Sequence, residues 1–360
     1  MKLSIVLGTR PEIIKLSPII RECQRLCLDY FILHSGQHFS YNMDRVFFEQ
    51  LRIPDAKYNL DVGLGTHAEQ TAKILVGTEK VIQKEKPDIV LVEGDTNTVI
   101  AGSLAAAKIG VKVGHVEAGL RSRDMRMPEE INRILTDHCS DLLFAPTEKQ
   151  RQILLSEGIP EEKIFVTGNT IVDAIQQNLN FSRGSGTILQ DLDLKNGSYF
   201  LTTIHRQENV DDKSRLRDII KGLEIIQKQF NLPVIYPVHP RSRKQLLNFN
   251  IRPDSVRMID PLDYLNFLQL ESSARLILTD SGGVQEEACI LGVPCVTLRY
   301  NTERPETLDV GANVLAGTDP QNIMKSVDYM LNRNEHRWEN PFGDGKASEK
   351  ILHIVKEKVG

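Results

Sequence analysis

The sequence predicts an α/β protein made of two successive doubly wound αβα units. Three observations carry this. Short apolar runs alternate with amphipathic segments along the whole chain, the pattern of parallel strands joined by helices. Runs such as Ile5-Val6-Leu7 and Ile89-Val90-Leu91-Val92 are continuous rather than alternating, as expected of strands covered on both faces. The length, 360 residues, exceeds one typical domain and suits two.

In the first half, strands are expected at 3–7, 30–34, 88–92, 112–116, 142–145 and 164–166. Helices follow near 11–27, 41–51, 67–85, 96–109, 129–139 and 147–157. Gly168-Asn169-Thr170 opens a helix to about Leu179. The stretch from Phe181 to Ser198 is polar and rich in Gly and Ser, and it reads as a linker. A second strand series follows at 199–204, 234–237, 256–259, 276–279 and 295–298. The expected division is 1–168 for an N-terminal Rossmann-like domain and 169–345 for a C-terminal nucleotide-binding one. A last helix, 346–360, is expected to pack back on the N-terminal domain. Ligands belong in the crevice at the carboxyl ends of the strands, between two such units.

Composition excludes several classes. The formal net charge of −4 is interspersed, without the clustered basic surface that nucleic-acid binding needs. No apolar run approaches the ~20 residues that span a bilayer, so no membrane partner is expected. The opening MKLSIVLGTRPE is a first strand rather than a leader, and a cytoplasmic location is expected. Five scattered cysteines argue against a disulfide framework. Cys23 and Cys27 share a predicted helix face, but no second pair stands at zinc-ligand spacing. Buried thiols and no metal are expected.

Several segments could carry chemistry, and each has a plainer alternative. Gly8-Thr9-Arg10-Pro11-Glu12 is either a good helix start or a place where Arg10 and free N–H groups meet an anion. No GxGxxG occurs, so a tightly held NAD has no support and no cofactor is expected. Ser281-Gly282-Gly283 joins a strand to a helix, where small residues let a phosphate approach the helix N-terminus. Glu287 lies one turn further, placed for ribose hydroxyls or simply for solvent. Asp95 and Glu117 both end strands of one sheet and both point to the ligand crevice, although Asp95 would also cap a helix. Arg121 reads as a substrate clamp or a partner for Glu117. Glu129 and Glu130 open a helix and diverge by ~100°, so at most one faces the crevice. Arg133 is placed four residues on to pair with Glu129. His205 and His239 each follow a strand, better placed for a ligand than for a core. Arg299, Glu303, Arg304 and Glu306 form a charged loop.

Taken together these segments resemble the UDP-N-acetylglucosamine 2-epimerase family of the non-hydrolysing type. The matching pieces are GTRPEIIK at 8–15, GDTNT at 94–98, GHVEAGLRS at 114–122, PEEINR at 128–133, FVTGNT at 165–170, HRQEN at 205–209, YPVH at 236–239, TDSGGVQEEA at 279–288, TERPE at 302–306 and NPFGDGKAS at 340–348. The resemblance implies a glycosyltransferase-B-like fold with its two domains facing a central cleft. It implies a UDP-sugar substrate, interconversion of UDP-GlcNAc and UDP-ManNAc through a 2-acetamidoglucal, and a homodimer. The catalytic set it implies is Asp95, Glu117, Glu129 and His205. Substrate contacts would come from Arg10, Lys15, Phe267, Ser281, Gly282, Gly283, Glu287 and Arg304. Residues 122–127 are shorter than in many bacterial relatives. Some family members bind a second, activating UDP-GlcNAc. Gln37 and His38 fit that site, whereas Phe39-Ser40 and Pro240-Arg241 depart from its usual neighbours, which points to altered activation. The rival readings are a hydrolysing epimerase, a retaining glycosyltransferase and a nucleotide-sugar sensor.

Overall fold

A computed structural model describes residues 1–37, 41–182, 188–333 and 338–360. It divides into two compact units, Met1–Gln177 with Phe342–Gly360, and Asn178–Pro341.

The first unit holds the strands β1 (Lys2–Leu7), β2 (Asp29–His34), β3 (Tyr58–Asn59), β4 (Ile89–Glu93), β5 (Lys112–Val116), β6 (Leu142–Ala145) and β7 (Ile164–Val166). All pair in parallel, in the order β3-β2-β1-β4-β5-β6-β7. Val6, Leu33, Val90, Val92 and Val113 bury one sheet face against Val81, Ile82, Val99 and Ala106 of the helices His67–Glu85 and Asn97–Lys108.

The second unit holds β8 (Phe200–Thr203), β9 (Val234–Pro237), β10 (Arg257–Ile259), β11 (Leu276–Thr279), β12 (Cys295–Thr297) and β13 (Asn313–Leu315), again all parallel, in the order β10-β9-β8-β11-β12-β13. Successive residues of its strands feed two cores. Phe200, Tyr236, Leu276, Leu278 and Val296 pack with Leu216, Leu223, Ile323 and Val327. Tyr199, Leu201, Ile235, Ile277 and Cys295 pack with Ile188, Leu270 and Ala288 on the other side. Burial on both faces is why these strands read as unbroken apolar runs.

Three sequence expectations are corrected. The divide after Gln177 replaces the one expected at residue 168, because the helix Thr170–Ser182 starts in the first unit. Its Asp173 is buried there and accepts hydrogen bonds from the N–H groups of Ala347 and Ser348 and from the Ser348 hydroxyl (3.2, 2.9 and 2.6 Å). That carboxylate caps the returning helix Ala347–Val359, which packs on the helix Arg10–Arg25. The expected linker is partly core: Ile188–Asp191 is a helical turn, and Ile188 and Leu194 are buried. Finally, the first helix ends at Arg25 and Cys27 lies beyond it at φ 51°, so Cys27 is exposed while Cys23 is buried. The edge strands β3 and β13, two and three residues long, escaped notice because such lengths carry no periodicity.

Among the described residues no helix is long and apolar enough to cross a membrane. No group of three or more His, Cys, Asp or Glu side chains there could hold a metal ion.

Candidate active site

In each sheet the strand order reverses beside its first strand, between β1 and β4 and between β8 and β11. Connections leave that point in opposite directions, and the crevice so formed is where open α/β sheets bind ligands. The functional candidates of each unit gather there.

In the first unit, Thr9 caps the helix Arg10–Arg25 in a capping box with Glu12. Glu12 is buried. It accepts the N–H groups of Gly8 and Thr9 and the Thr96 hydroxyl. Burial outweighs these bonds and lifts its carboxyl to about 7. The helix-start reading therefore describes Glu12. A side chain at Gly8 would stand 1.8 Å from Ser35 Oγ, so the loop needs glycine. Arg10, implied as a phosphate contact, lays its guanidinium 4.8 Å from the Phe47 ring centre.

Glu117 has the left-handed backbone conformation, φ 68°, which is costly for a residue with a long side chain and recurs at functional sites. Its carboxylate receives Lys15 Nζ in a short ion pair and the Asn169 side-chain amide at 2.9 Å. Lys15, implied as a substrate contact, also stands 3.2 Å from Glu93 Oε1. Glu93 closes β4, is buried at 2% exposure, and was not singled out by the sequence. Burial first, then its carboxylate neighbours, raise its carboxyl well above the ordinary range against the pull of Lys15.

Asp95 is not the cap of the following helix; Thr96 is. Asp95 instead ion-pairs with Arg133, and its carbonyl receives Asn132 Nδ2 at 2.9 Å. Arg133 also reaches Glu130 at 2.8 Å, which corrects its expected pairing with Glu129. Glu130 points inward and accepts the N–H groups of Ser122 and Arg123, folding the 122–127 loop onto the helix start. Burial pushes the Glu130 carboxyl up, but these donors and Arg133 outweigh it and hold it below the usual range. Glu129, partly exposed, makes no ion pair or hydrogen bond among the described residues. Arg121 does not pair with Glu117: it pairs with Asp137 (2.8 Å) and Glu157 (2.6 Å), since the turn at Gly119 (φ 84°) carries the chain past Glu117. His115 is buried between Asp137 and the Gly94 carbonyl (2.6 and 2.9 Å), tying β5 to the helix of Glu129 and to the loop of Asp95.

In the second unit, His205 follows β8 with its side chain 42% exposed. Its Nδ1 stands 3.2 Å from Asp280, a buried residue just past β11 that also accepts the N–H groups of His205 and Arg206 and the Asn209 amide. Burial would raise the Asp280 carboxyl, but these donors prevail and hold it below the usual range, as a carboxylate. An Nδ1–H directed at a carboxylate leaves Nε2 for a ligand. His205 and His239, whose ring centres are 6.2 Å apart, line a cavity of about 290 Å³ with Leu262, Phe267, Ser281 and Val284. Ser281 caps the helix Gly282–Leu291 without a side-chain bond. A Cβ at Gly282 or Gly283 would meet nothing nearer than 3.8 Å, so the helix start is open to approach. Glu287 lies beside the buried Glu271, whose carboxyl is pushed well above the ordinary range by burial and then by Glu287. In the charged loop, Arg299 pairs with Glu303 and Glu208 (2.8 and 2.9 Å). Arg304, implied as a substrate contact, pairs with Glu286 at 2.8 Å. Arg241 pairs with Asp211 at 2.5 Å. Of the implied activator site, His38, Phe39 and Ser40 lie outside the described residues.

The family model described as UDP-N-acetylglucosamine 2-epimerase matches residues 21–356. The chain belongs to the UDP-N-acetylglucosamine 2-epimerase family. It is 55% identical to the UDP-N-acetylglucosamine 2-epimerase of Methanocaldococcus jannaschii, over 99% of both chains. It is 43% identical to the UDP-2,3-diacetamido-2,3-dideoxy-D-glucuronate 2-epimerase of Pseudomonas aeruginosa, again over 99% of both. The crystal structure of the Methanocaldococcus jannaschii enzyme in complex with UDP-GlcNAc and UDP superposes with a TM-score of 0.89, covering 99% of this chain and 100% of that one. The glycosyltransferase-B-like fold class of this epimerase family is the fold class read from the sequence.

Glu93, Asn169 and Asp280 were the functional neighbours that sequence reasoning missed. Asp280 alone carried a usable signal, since β8 and β11 would be adjacent in a doubly wound order and both end in the same crevice.

The two helix-start glutamates should separate by experiment. Glu130→Gln, which loses charge toward two N–H donors and Arg133, should lower unfolding free energy by about 1–3 kcal/mol at neutral pH. Because the folded Glu130 carboxyl is depressed, that contribution is present above its unfolded value and is lost as pH falls through the folded one. Glu129→Gln should leave urea unfolding unchanged. Equal midpoints for the two variants would overturn this assignment.

Proposed function

We propose that the protein interconverts UDP-GlcNAc and UDP-ManNAc by anti-elimination of UDP and re-addition. The observation that carries the reading is the carboxylate set of the first unit, two just past strand ends and one at a helix start. Inverting C2 needs one group to take its proton and another to deliver a proton to the opposite face. Asp95 held by Arg133, Glu117 held by Lys15, and the unpaired Glu129 supply three candidates in three different electrostatic settings. In the elimination the C2 proton passes to a carboxylate, the C1–O bond breaks with its electrons to UDP, and 2-acetamidoglucal remains. Re-addition reverses these steps with C2 protonated on the other face. No step of this route transfers a hydride, so none calls for a nicotinamide.

The leaving diphosphate gathers negative charge. The open N-terminus of the helix Gly282–Leu291 and the His205 imidazole, donating a hydrogen bond, are the groups suited to stabilise it. Phe267 on the cavity wall would stack on uracil, and Glu287 would accept the ribose hydroxyls. Relatives named UDP-N-acetylglucosamine 2-epimerase reach 55% and 52% identity, against 43% for the diacetamidoglucuronate enzyme, which favours UDP-GlcNAc as substrate. The free cysteines suit a reducing, cytoplasmic setting. A homodimer would cover Ile131 and Leu135, neighbours on one exposed helix face at 41% and 52% exposure.

Incubation with UDP-GlcNAc in D2O, followed by NMR, should give UDP-ManNAc with deuterium at C2. Turnover without exchange at C2 sinks the elimination route, and free ManNAc as the sole sugar product favours the hydrolysing alternative. For the phosphate site, Gly282→Val fits the fold, since its Cβ has room, yet fills the approach to the helix start. Calorimetry should show UDP affinity falling at least roughly tenfold. Unchanged affinity would place the diphosphate elsewhere. Light scattering should return twice the chain mass of 40.7 kDa, and a monomer mass would remove the dimer.

A further inference from the structure

Lys15 Nζ lies between two buried carboxylates, in a short ion pair with Glu117 Oε2 and 3.2 Å from Glu93 Oε1. The three come from separate elements: Lys15 from the helix Arg10–Arg25, Glu93 from the end of β4, and Glu117 from the turn after β5. Strand pairing fixes this triangle, because Glu93 pairs in register with Val116, the residue before Glu117. One ammonium cannot neutralise two carboxylates. The trio is therefore negative when fully ionised, and in a nearly dry setting each carboxylate's charge makes the other's costlier. The other groups facing it sharpen this. Glu12, on the same helix as Lys15, adds negative potential at Glu93; His34 faces Glu12; and Asn169 donates to Glu117 at 2.9 Å.

We propose that Glu93 is a positioning residue, which competes with Glu117 for the Lys15 ammonium and thereby sets the proton affinity of Glu117. This rests on the reading of Glu117 as a proton-transfer group. When Glu117 takes up a proton, Lys15 keeps a carboxylate partner in Glu93 and is not left buried as an unpaired charge. When Glu117 releases the proton, both carboxylates draw on one ammonium, Glu93 from the more deeply buried position and without the Asn169 donor, so each charge makes the other costlier. The pair titrates as a unit, with two apparent values belonging to both residues. Burial and the two neighbouring glutamates raise Glu93 against Lys15, in the direction this arrangement requires.

The test is Glu93→Gln, which keeps the shape and removes the competing charge. Taking away a like charge lowers the Glu117 titration, whichever way Glu117 moves its proton. The pH limb of kcat/KM that Glu117 governs should therefore move to lower pH by roughly one unit. The Glu117 carboxyl carbon, followed by 13C NMR in glutamate-labelled protein and assigned with Glu117→Gln, should titrate lower by a similar amount. A limb and a carbon titration that stay in place, or move up, overturn the proposal even if the variant is less stable. If Glu93→Gln does not fold, Glu93→Asp carries the same test. Its shorter arm withdraws charge from Lys15, the same displacement at smaller size is expected, and none would overturn the proposal. The carbon titration needs no turnover, so failure of the epimerase reading would show as absent UDP-GlcNAc conversion while the Glu93 test still stands.

Discussion

The handedness of parallel strand connections is the constraint on which the rest of the structure depends. A strand, a crossover and a second parallel strand close almost only as a right-handed unit. A sheet built outward from its first strand in both directions must therefore have one place where neighbouring connections diverge. Here that place lies between β1 and β4, and again between β8 and β11. It brings the loop after Leu7 beside Glu93 and Asp95, and His205 beside Asp280 and Ser281. Glu12 and Thr96, 84 positions apart in sequence, and His205 and Asp280, 75 apart, are made hydrogen-bonding neighbours by topology alone.

The electrostatics of the first unit follow from that crowding. Glu12, Glu93, Glu117 and Asp95 all collect at strand ends or the helix start beside them, and all but Asp95 are buried. Few cations serve them. Lys15 is divided between two carboxylates, and Arg133 between Asp95 and Glu130. Buried carboxylates that share a cation have proton affinities tied to one another. Such coupling suits a site that must hold protons at one moment and surrender them at the next. The left-handed backbone of Glu117 belongs to the same economy: a strained conformation persists only where the surrounding contacts over-determine it.

The second unit offers a different feature, a helix start suited to an anion. It does so largely with backbone: the glycines leave open space and the cap residue makes no side-chain bond. His205 is oriented by the buried Asp280, which stays a carboxylate by accepting from the N–H groups of His205 and Arg206 and from the Asn209 amide. The charged loop is tied down by its arginines: Arg299 pairs with Glu303 inside the loop and with Glu208 beyond it, and Arg304 with Glu286 of the helix Gly282–Leu291.

The sequence by itself determined the layer class and most strand positions, and marked the segments where chemistry was to be expected, because unbroken apolar runs, helix-start residues and glycine pairs are local signals. It placed Asp95, Glu117, His205 and Ser281-Gly282-Gly283 at element ends without knowing their partners. Partnership was decided only by tertiary structure. Arg133 had a local candidate in Glu129, one turn away, yet a strand-end carboxylate 38 positions distant and the inward-facing Glu130 were in reach and Glu129 was not. Arg121 likewise left Glu117 for Asp137 and Glu157 once a glycine turn intervened. Glu93 follows an expected strand at 88–92 and carried no signal of its own, and only the parallel register that sets it against Val116 reveals it beside Lys15 and Glu117. Side-chain pairing depends on distances through space, and a single sequence records only distances along the chain.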